Sequence, residues 1–335
     1  MANVVYSADG PKMNDDVLQI QDLQTRFYTQ DGVVSAVDGL SLDVAAGEMV
    51  GLVGESGCGK STAALSIMRL VPVPGRIVGG QILLDGQDIV PLSDREMRGL
   101  RGPAVAMIFQ DALAALDPTM KVGKQLMEPL QAHMGMSASE ARGRTIELLA
   151  RVGIPAPSER LDAYPHEFSG GMRQRVMIAI ALSCGPKLLL ADEPTTALDV
   201  TIQRQILDLM LSLRDETGAG VILITHDVGV VAETCDRVVV MYAGRRVESG
   251  PTEEVFVRAR HPYTVGLLSS TLELERDKGK PLRAIPGMPP DLIEPPPGCL
   301  FWPRCLRQTE LCREQTPTLQ SVGTDHEAAC WHMDE

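Results

Sequence analysis

The sequence predicts an α/β fold with a mostly parallel sheet and a small cysteine-bearing extension at the C-terminal end. Four short apolar runs, rich in β-branched residues or leucine, have the length of buried parallel strands; they are 49–53, 188–191, 221–225 and 238–242. Between the second and third runs, apolar residues recur at helical spacing over 202–213. A strand, a helix and another strand in this order are typical of a parallel α/β layer.

Two later parts of the chain have a different character. Residues 111–167 lack strong strand runs and 140–152 has a helical pattern, which predicts a helical insertion into the α/β layer. Residues 281–297 contain seven prolines, which are poorly suited to a helix or a central strand. We expect an extended connector there, leading into the cysteine-bearing end.

Composition and charge argue against several classes of protein. A hydrophobic content of 44% with 22% charged residues is ordinary for a globular protein. The formal net charge of −13 argues against a protein that binds nucleic acid by neutralising its phosphates. No run approaches the roughly 18 apolar residues of a spanning helix, and residues 1–16 lack the pattern of a secretion signal. We therefore expect a cytoplasmic chain that reaches a membrane only through partners.

A glycine-rich loop between a predicted strand and a predicted helix is the first motif that carries chemistry. Residues 54–61 follow the phosphate-loop pattern, after the strand 49–53 and before a helical segment at 62–69. Glycines let backbone N–H groups turn toward phosphate oxygens, and the helix N-terminus adds its positive end. In this pattern Lys60 reaches the β- and γ-phosphates and Ser61 holds Mg²⁺. The expected ATP-binding residues here are Gly54, Ser56, Gly57, Gly59, Lys60, Ser61 and Thr62.

Ionisable residues follow two other predicted strands. Asp192 and Glu193 end the run 188–191, where Asp192 can help coordinate Mg²⁺ and Glu193 can polarise an attacking water. Adjacent side chains of a strand point to opposite sides, so both acids can serve one site only if the chain bends. His226 follows the run 221–225, at a strand end where such sheets bind ligands. A solvated acidic turn and a structural histidine are the alternatives.

Taken in order, these motifs resemble those of the ABC-type ATPases. The order is the phosphate loop, Gln110, Ser169-Gly170-Gly171, Asp192-Glu193, Ala197-Leu198-Asp199 and His226. The segment Phe168-Ser-Gly-Gly-Met-Arg-Gln-Arg175 is the most specific, because phosphate loops occur in many NTPases whereas this signature marks the ABC class. Phe168 and Met172 depart from its commonest form, but the serine and both glycines are intact.

The resemblance implies a P-loop NTPase with a RecA-like core, an antiparallel β edge and a helical subdomain. It also implies head-to-tail pairing, in which each ATP lies between one subunit's phosphate loop and the other's Ser169, Gly170 and Gly171. The implied roles of single residues are hydrolysis for Glu193, sensing of Mg²⁺ and water for Gln110, contact with the γ-phosphate for His226 and communication between the two sites for Asp199. Ser61, Gln110 and Asp192 are the implied Mg²⁺ ligands.

An aromatic residue near the N-terminus often binds adenine in this family. Phe27 lies at the usual distance after Leu23, and Tyr28 is its neighbour, so the choice between them stays open. Packing of either ring in the core is the alternative.

Further motifs narrow the resemblance to the oligopeptide and dipeptide importers, over residues 16–331. They are Tyr164-Pro-His-Glu-Phe-Ser-Gly-Gly-Met-Arg, Met241-Tyr-Ala-Gly, His261-Pro-Tyr-Thr, Ile285-Pro-Gly, Gly298-Cys299 and Pro303-Arg304-Cys305. The implied organisation is a flexible N-terminus at 1–15, a nucleotide-binding domain at 16–255 with its helical subdomain at about 111–174, and an importer-type region at 256–335. The implied partners are a second ATPase subunit, two transmembrane permeases and an extracytoplasmic peptide-binding protein, at the cytoplasmic face of the membrane.

Four cysteines near the C-terminus form a candidate metal site. Cys299, Cys305, Cys312 and Cys330 are separated by five, six and seventeen residues, which matches neither zinc knuckles nor bacterial ferredoxins. Spacing therefore leaves zinc, an iron–sulfur cluster and free thiols open. The resemblance to the importers favours a [4Fe–4S] cluster over Zn²⁺, in a structural role.

Other functions remain as alternatives. An importer of the same family could carry nickel or another small solute, because nothing in this subunit is expected to contact cargo. A soluble ABC ATPase of translation or DNA repair usually has two motor domains or a long coiled-coil arm, and neither appears in this sequence.

Overall fold

The computed structural model describes residues 16–111, 115–195, 199–276 and 285–333. The predicted flexible N-terminus, and Ala197 and Leu198 of the predicted Ala-Leu-Asp motif, lie outside them. The strands are β1 Asp16–Tyr28, β2 Val33–Ala45, β3 Met49–Val53, β4 Gly75–Leu84, β5 Gln87–Asp88, β6 Val105–Ile108, β7 Leu188–Asp192, β8 Gly220–Ile224, β9 Arg237–Tyr242, β10 Arg245–Pro251, β11 Gln320–Gly323 and β12 His326–Ala328.

Helices occupy much of the remaining described chain. They are α1 Lys60–Ile67, α2 Asp94–Leu100, α3 Val122–Met134, α4 Ala138–Arg151, α5 Pro157–Arg160, α6 Gly170–Leu182, α7 Val200–Thr217, α8 Val228–Thr234, α9 Thr252–Val257, α10 Pro262–Arg276 and α11 Glu310–Glu314, with 3₁₀ turns at Pro165–Glu167 and Trp302–Arg304. In the part of the chain that the structure describes, no helix has the length and apolar character needed to cross a bilayer.

The larger sheet has the order β11-β12-β10-β9-β3-β8-β7-β6. Strands β9, β3, β8, β7 and β6 are parallel neighbours. The four apolar runs singled out in the sequence are β3, β7, β8 and β9, so the predicted parallel layer is confirmed. Their continuous apolar character follows from burial on both faces.

The two faces of this sheet pack against different layers. In β3, Met49 and Val53 belong to an apolar core shared with the helices, whereas Val50 and Leu52 belong to a second core shared with α1 and the smaller sheet. That smaller sheet is antiparallel, with the order β2-β1-β4-β5, which confirms the expected antiparallel β edge. The segment between β6 and β7 is helical and contains α3 to α6. The pattern at 140–152 corresponds to α4, which begins with a capping box formed by Ser137 and Glu140.

The C-terminal region adds strands to the main sheet, a feature that the sequence analysis did not predict. Strand β12 pairs with β10 in antiparallel register, with Glu248 opposite Ala328. The carboxylate of Glu248 is fully buried and accepts hydrogen bonds from the N–H of Arg260 at 2.7 Å, the N–H of His261 at 2.9 Å and Nε2 of His326 at 2.9 Å. One side chain therefore joins β10, the start of α10 and β12.

Replacement of Glu248 should loosen this attachment. In Glu248→Ala two buried donors and one partly buried donor lose their acceptor, so we expect the free energy of unfolding to fall by about 3 kcal/mol or more. Urea denaturation measures the loss, and hydrogen exchange should localise it to 320–328. The control is Glu327→Ala on the same strand, where a partly exposed ion pair with Arg246 is lost and we expect a change of about 1 kcal/mol or less. Equal losses in both variants would contradict this role of Glu248.

Candidate nucleotide-binding site

Parallel strands bring the predicted catalytic motifs to one edge of the main sheet. The phosphate loop follows β3, Gln110 lies just beyond β6, Glu193 follows β7 and His226 lies just beyond β8. These four strands are consecutive neighbours in the order β3-β8-β7-β6 and run in one direction. Their carboxyl ends therefore meet at the edge where open α/β sheets bind ligands.

Three glycines give the phosphate loop its shape. A Cβ at Gly54 would lie 2.2 Å from the carbonyl oxygen of Met241, and one at Gly59 would lie 2.2 Å from that of Ala36. Both positions therefore need glycine for close backbone packing. At Gly57 the reason is conformational, because its φ is +80° while a Cβ would have no atom within 4 Å among the described residues.

Lys60 lies inside the loop, at the start of α1. Its side chain is largely buried, and Nζ donates to the carbonyl oxygens of Gly54 at 2.7 Å and Glu55 at 2.9 Å. Gly59 is the N-cap of α1 and has no side chain to satisfy the first N–H groups of the helix. The loop thus combines an ammonium group with a helix N-terminus, which is a favourable environment for phosphate oxygens.

Ser61 and Asp192 are brought together from two strand ends. Ser61 Oγ donates to Asp192 Oδ1 at 3.1 Å. Burial raises the pKa of Asp192, while the hydrogen bond from Ser61 acts in the opposite direction. A hydroxyl and a carboxylate oxygen at this separation suit a hard cation such as Mg²⁺.

A bend in the backbone separates the two adjacent acids. Glu193 has a φ of +46° and its N–H donates to the carbonyl oxygen of Ile224 at 2.9 Å, so β7 ends with a turn toward β8. Gln110 Nε2 then donates to Glu193 Oε2 at 2.9 Å, and His226 Nδ1 lies 3.3 Å from Glu193 Oε1. The chain therefore bends at Glu193, as it must if both acids are to serve one site, and the bend groups Glu193 with Gln110 and His226.

The signature motif lies at the start of α6. Ser169 is the N-cap and its Oγ accepts from the N–H of Met172 at 3.3 Å, whereas a Cβ at Gly170 would have no neighbour within 4 Å among the described residues. Gln174 fixes the helix in place by donating to the carbonyl oxygen of Pro194 at 2.6 Å. Across the described residues, no hydrogen bond or ion pair joins Ser169, Gly170 or Gly171 to residues 54–62.

Asp199 has a local role in this structure. It is the N-cap of α7, and its side chain accepts from the N–H of Ile202 at 3.0 Å.

The two candidate adenine residues have different surroundings. Phe27 packs against Gly75, where an added Cβ would lie only 2.5 Å from Cε1 of the ring. Tyr28 is 38% exposed, and the guanidinium of Arg76 lies 4.1 Å from the centre of its ring.

Three residues near the loop were missed by sequence reasoning. The N–H of Glu55 donates to Tyr263 Oη at 2.7 Å, and the carboxylate of Glu55 accepts from Nη1 and Nη2 of Arg304 at 2.6 and 2.9 Å. Tyr263 and Arg304 lie in the motifs His261-Pro-Tyr-Thr and Pro303-Arg304-Cys305, which indicated the importer family but were given no role at the site. Their presence in those motifs was the available signal.

The four C-terminal cysteines occupy one neighbourhood. Burial, together with the charges of the other three sulfur atoms, raises the pKa of Cys299 to about 11. Three of the sulfur atoms, those of Cys299, Cys305 and Cys330, each accept a hydrogen bond from the backbone N–H two residues later in the chain. The nitrogen of Arg307 lies 3.4 Å from Cys305 Sγ, and that of His332 lies 3.3 Å from Cys330 Sγ. Thr309 Oγ1 lies 3.5 Å from Cys312 Sγ. Within the described chain, no three or more Cys, His, Asp or Glu side chains are arranged as a metal site.

Comparison with known proteins places the chain in a family. Residues 37–196 match the ABC transporter family, and residues 247–312 match the C-terminal region of oligopeptide/dipeptide transporters. The dipeptide transport ATP-binding protein DppD of Bacillus subtilis is 50% identical over 322 residues, which are 96% of each chain. The oligopeptide transport ATP-binding protein OppD of the same organism is 50% identical over 316 residues, covering 94% of this chain and 88% of OppD.

Solved structures agree with the sequence relatives. A dimeric bacterial ABC transporter cassette has a TM-score of 0.64 and 28% sequence identity, over 70% of this chain and 98% of that chain. The chain belongs to the ABC transporter ATP-binding proteins, in the family of the oligopeptide and dipeptide importers, and it is an ATPase.

The contacts of Glu193 predict the effect of removing its charge. In Glu193→Gln we expect ATP hydrolysis to fall by a factor on the order of 10²–10⁴, because the amide cannot take a proton from water. Binding of ATP should persist, since the loop, Lys60 and Ser61 are unchanged. Phosphate release and ATP titration measure the two quantities, with Glu147→Gln, an exposed acid on α4, as the control. Normal turnover in Glu193→Gln would contradict the assignment.

Proposed function

We propose that this ABC ATPase drives the uptake of oligopeptides or dipeptides through partner permeases. The observation that carries the proposal is the C-terminal region typical of peptide transporters, which in this chain reaches the phosphate loop through Tyr263 and Arg304. The relatives that match nearly the whole chain are dipeptide and oligopeptide transport proteins, which supports the same cargo here.

The residues at the sheet edge divide the chemistry among them. Lys60 and the loop N–H groups bind the phosphates, and Ser61 with Asp192 would hold Mg²⁺, which neutralises phosphate charge when bound. Glu193 accepts a proton from the attacking water, while Gln110 and His226 orient its carboxylate. We assign the adenine to Phe27, with Tyr28 as the alternative.

A second subunit completes each ATP site in this proposal. Ser169, Gly170 and Gly171 begin a helix whose N-terminus favours anions, yet their hydrogen bonds in the described chain do not reach the phosphate loop. Head-to-tail pairing with a related ATPase subunit brings one subunit's signature to the other's loop, and Asp199, six residues after Glu193, would link the two sites. The dimeric cassette of similar fold supports this arrangement.

The proposed assembly lies at the cytoplasmic face of the membrane. It contains this chain, a second related ATPase, two transmembrane permeases and an extracytoplasmic peptide-binding protein. Nucleic acid has no part in it, in keeping with the acidic net charge of −13.

Purification of the tagged chain from its own membranes tests this assembly. We expect two permeases and a second ATPase to copurify, and uptake of a labelled dipeptide or oligopeptide by cells to be lost in Glu193→Gln. The control is Glu147→Gln, which should import normally. Recovery of ribosomal or DNA-repair proteins without permeases would overturn the transport proposal. Uptake of nickel in place of peptide would contradict the assignment of peptides as the cargo.

We also propose that Cys299, Cys305, Cys312 and Cys330 hold a [4Fe–4S] cluster, with Zn²⁺ as the alternative. The chemistry of the donors fits such a group, although their arrangement is not that of a formed metal site, because four thiol sulfur atoms share one neighbourhood and three of them accept N–H hydrogen bonds that stabilise thiolates. Ligation would require the thiols to lose their protons and the four side chains to move into the geometry of a ligand set. The bound group would hold the C-terminal segment together.

Metal analysis of protein purified without oxygen tests this second proposal. We expect about four iron and four sulfide per chain, and their loss in Cys305→Ser. The control is Cys184→Ser, which changes a buried thiol beside Pro129 and should leave iron and sulfide in place. A content of about one zinc per chain would contradict the iron–sulfur cluster and support the zinc alternative. Protein that contains neither iron nor zinc would contradict both assignments.

A further inference from the structure

The second residue of the phosphate loop is an acid whose contacts come largely from the C-terminal region. The N–H of Glu55 donates to Tyr263 Oη, its carbonyl oxygen accepts from Lys60 Nζ, and both carboxylate oxygens accept from Arg304. Hydrogen bonds therefore fix the N–H, the carbonyl and the carboxylate of Glu55. Two of the three partners lie more than 200 residues later in the chain, as sequence separations of 208 and 249 show.

Arg304 is itself held firmly. The exposed fraction of its side chain is 4%, and Nε donates to the carbonyl oxygen of Pro286 at 2.8 Å. Nη1 also lies 3.4 Å from Tyr242 Oη. The two-pronged contact with a carboxylate is the strongest geometry available to arginine, and the surrounding hydrogen bonds leave it little freedom to turn away.

An aromatic cluster supports both partners of Glu55. The rings of Tyr242, Tyr263 and Phe301 have centroids 4.6 to 5.5 Å apart. They come from β9, from α10 and from the segment just before Arg304. This aromatic packing holds β9, α10 and the segment around Phe301 together, and the last two carry the groups that contact Glu55.

Electrostatics gives this arrangement a consequence for the nucleotide. Glu55 places a negative charge in a loop that binds a polyanion. Without Arg304, the carboxylate would repel the phosphates or draw Lys60, whose Nζ is bonded to the carbonyl of the same residue, away from them.

We propose that Arg304 is a positioning residue for ATP, which neutralises the Glu55 carboxylate and holds it away from the phosphates. The C-terminal region thereby sets the affinity of the phosphate loop for nucleotide. The inference rests on ATP binding at this loop and does not depend on the cargo or on the group that the cysteines hold.

A charge-removal cycle tests the proposal in the full chain with a non-hydrolysable ATP analogue. In Arg304→Met we expect the dissociation constant to rise about tenfold or more, as an uncompensated charge near the phosphates requires. The KM for ATP should rise with kcat little changed. Glu55→Gln alone should bind as the parent does or more tightly, and the double variant Glu55→Gln/Arg304→Met should recover most of the lost affinity.

Controls separate this role from simple loss of structure and from the transport proposal. Arg313→Met removes a partly exposed arginine of the same segment and should bind the analogue normally, whereas Lys60→Ala should lose binding. If Arg304→Met does not fold, Arg304→Lys provides the comparison, with a smaller loss that Glu55→Gln again reverses. Parent-like affinity in a folded Arg304 variant, or a double variant as weak as the single one, would overturn the proposal. Failure of peptide uptake alone would not affect it.

Discussion

The parallel alignment of β3, β8, β7 and β6 is the constraint on which the site depends. Every residue with a proposed catalytic role follows one of these strands, so the relative positions of these residues are set by ladder hydrogen bonds between buried apolar strands. A shift of one residue in register would move every side chain of a strand to the opposite face. Because both faces are packed in separate cores, such a shift is strongly disfavoured. The apolar sequence of the strands thus fixes the distance from Ser61 to Asp192.

The parallel strands and the phosphate loop could be predicted from the sequence for a physical reason. Buried parallel strands need continuous apolar runs, and a phosphate loop needs glycine at fixed positions, so both leave a local pattern. The close approach of the Met241 carbonyl to Gly54 shows why that pattern is strict. The grouping of Ser61 with Asp192, and of Glu193 with Gln110 and His226, follows once neighbouring strands are known to be parallel.

The C-terminal region was predicted poorly because its contacts are distant in sequence. Strand β12 has three residues and no alternating apolar pattern long enough to be recognised, yet it pairs with β10 through the buried Glu248. An arginine beside a cysteine gives no local sign that it will meet a glutamate in the phosphate loop. The family motifs marked Tyr263 and Arg304 without showing what they touch. Only the fold brings them to Glu55.

The balance of charge at the nucleotide site connects it with the C-terminal region. The site must bind a polyanion, yet Glu55, Asp192 and Glu193 all lie at its edge. Each acid has a different partner: Arg304 for Glu55, the Ser61 hydroxyl for Asp192, and Gln110 with His226 for Glu193. In the proposed mechanism, Asp192 would be neutralised by Mg²⁺ that arrives with the nucleotide, and Glu193 must keep its basicity to accept a proton from water. Glu55 has neither role in that mechanism, and the buried Arg304 from outside the loop neutralises its charge through a two-pronged contact.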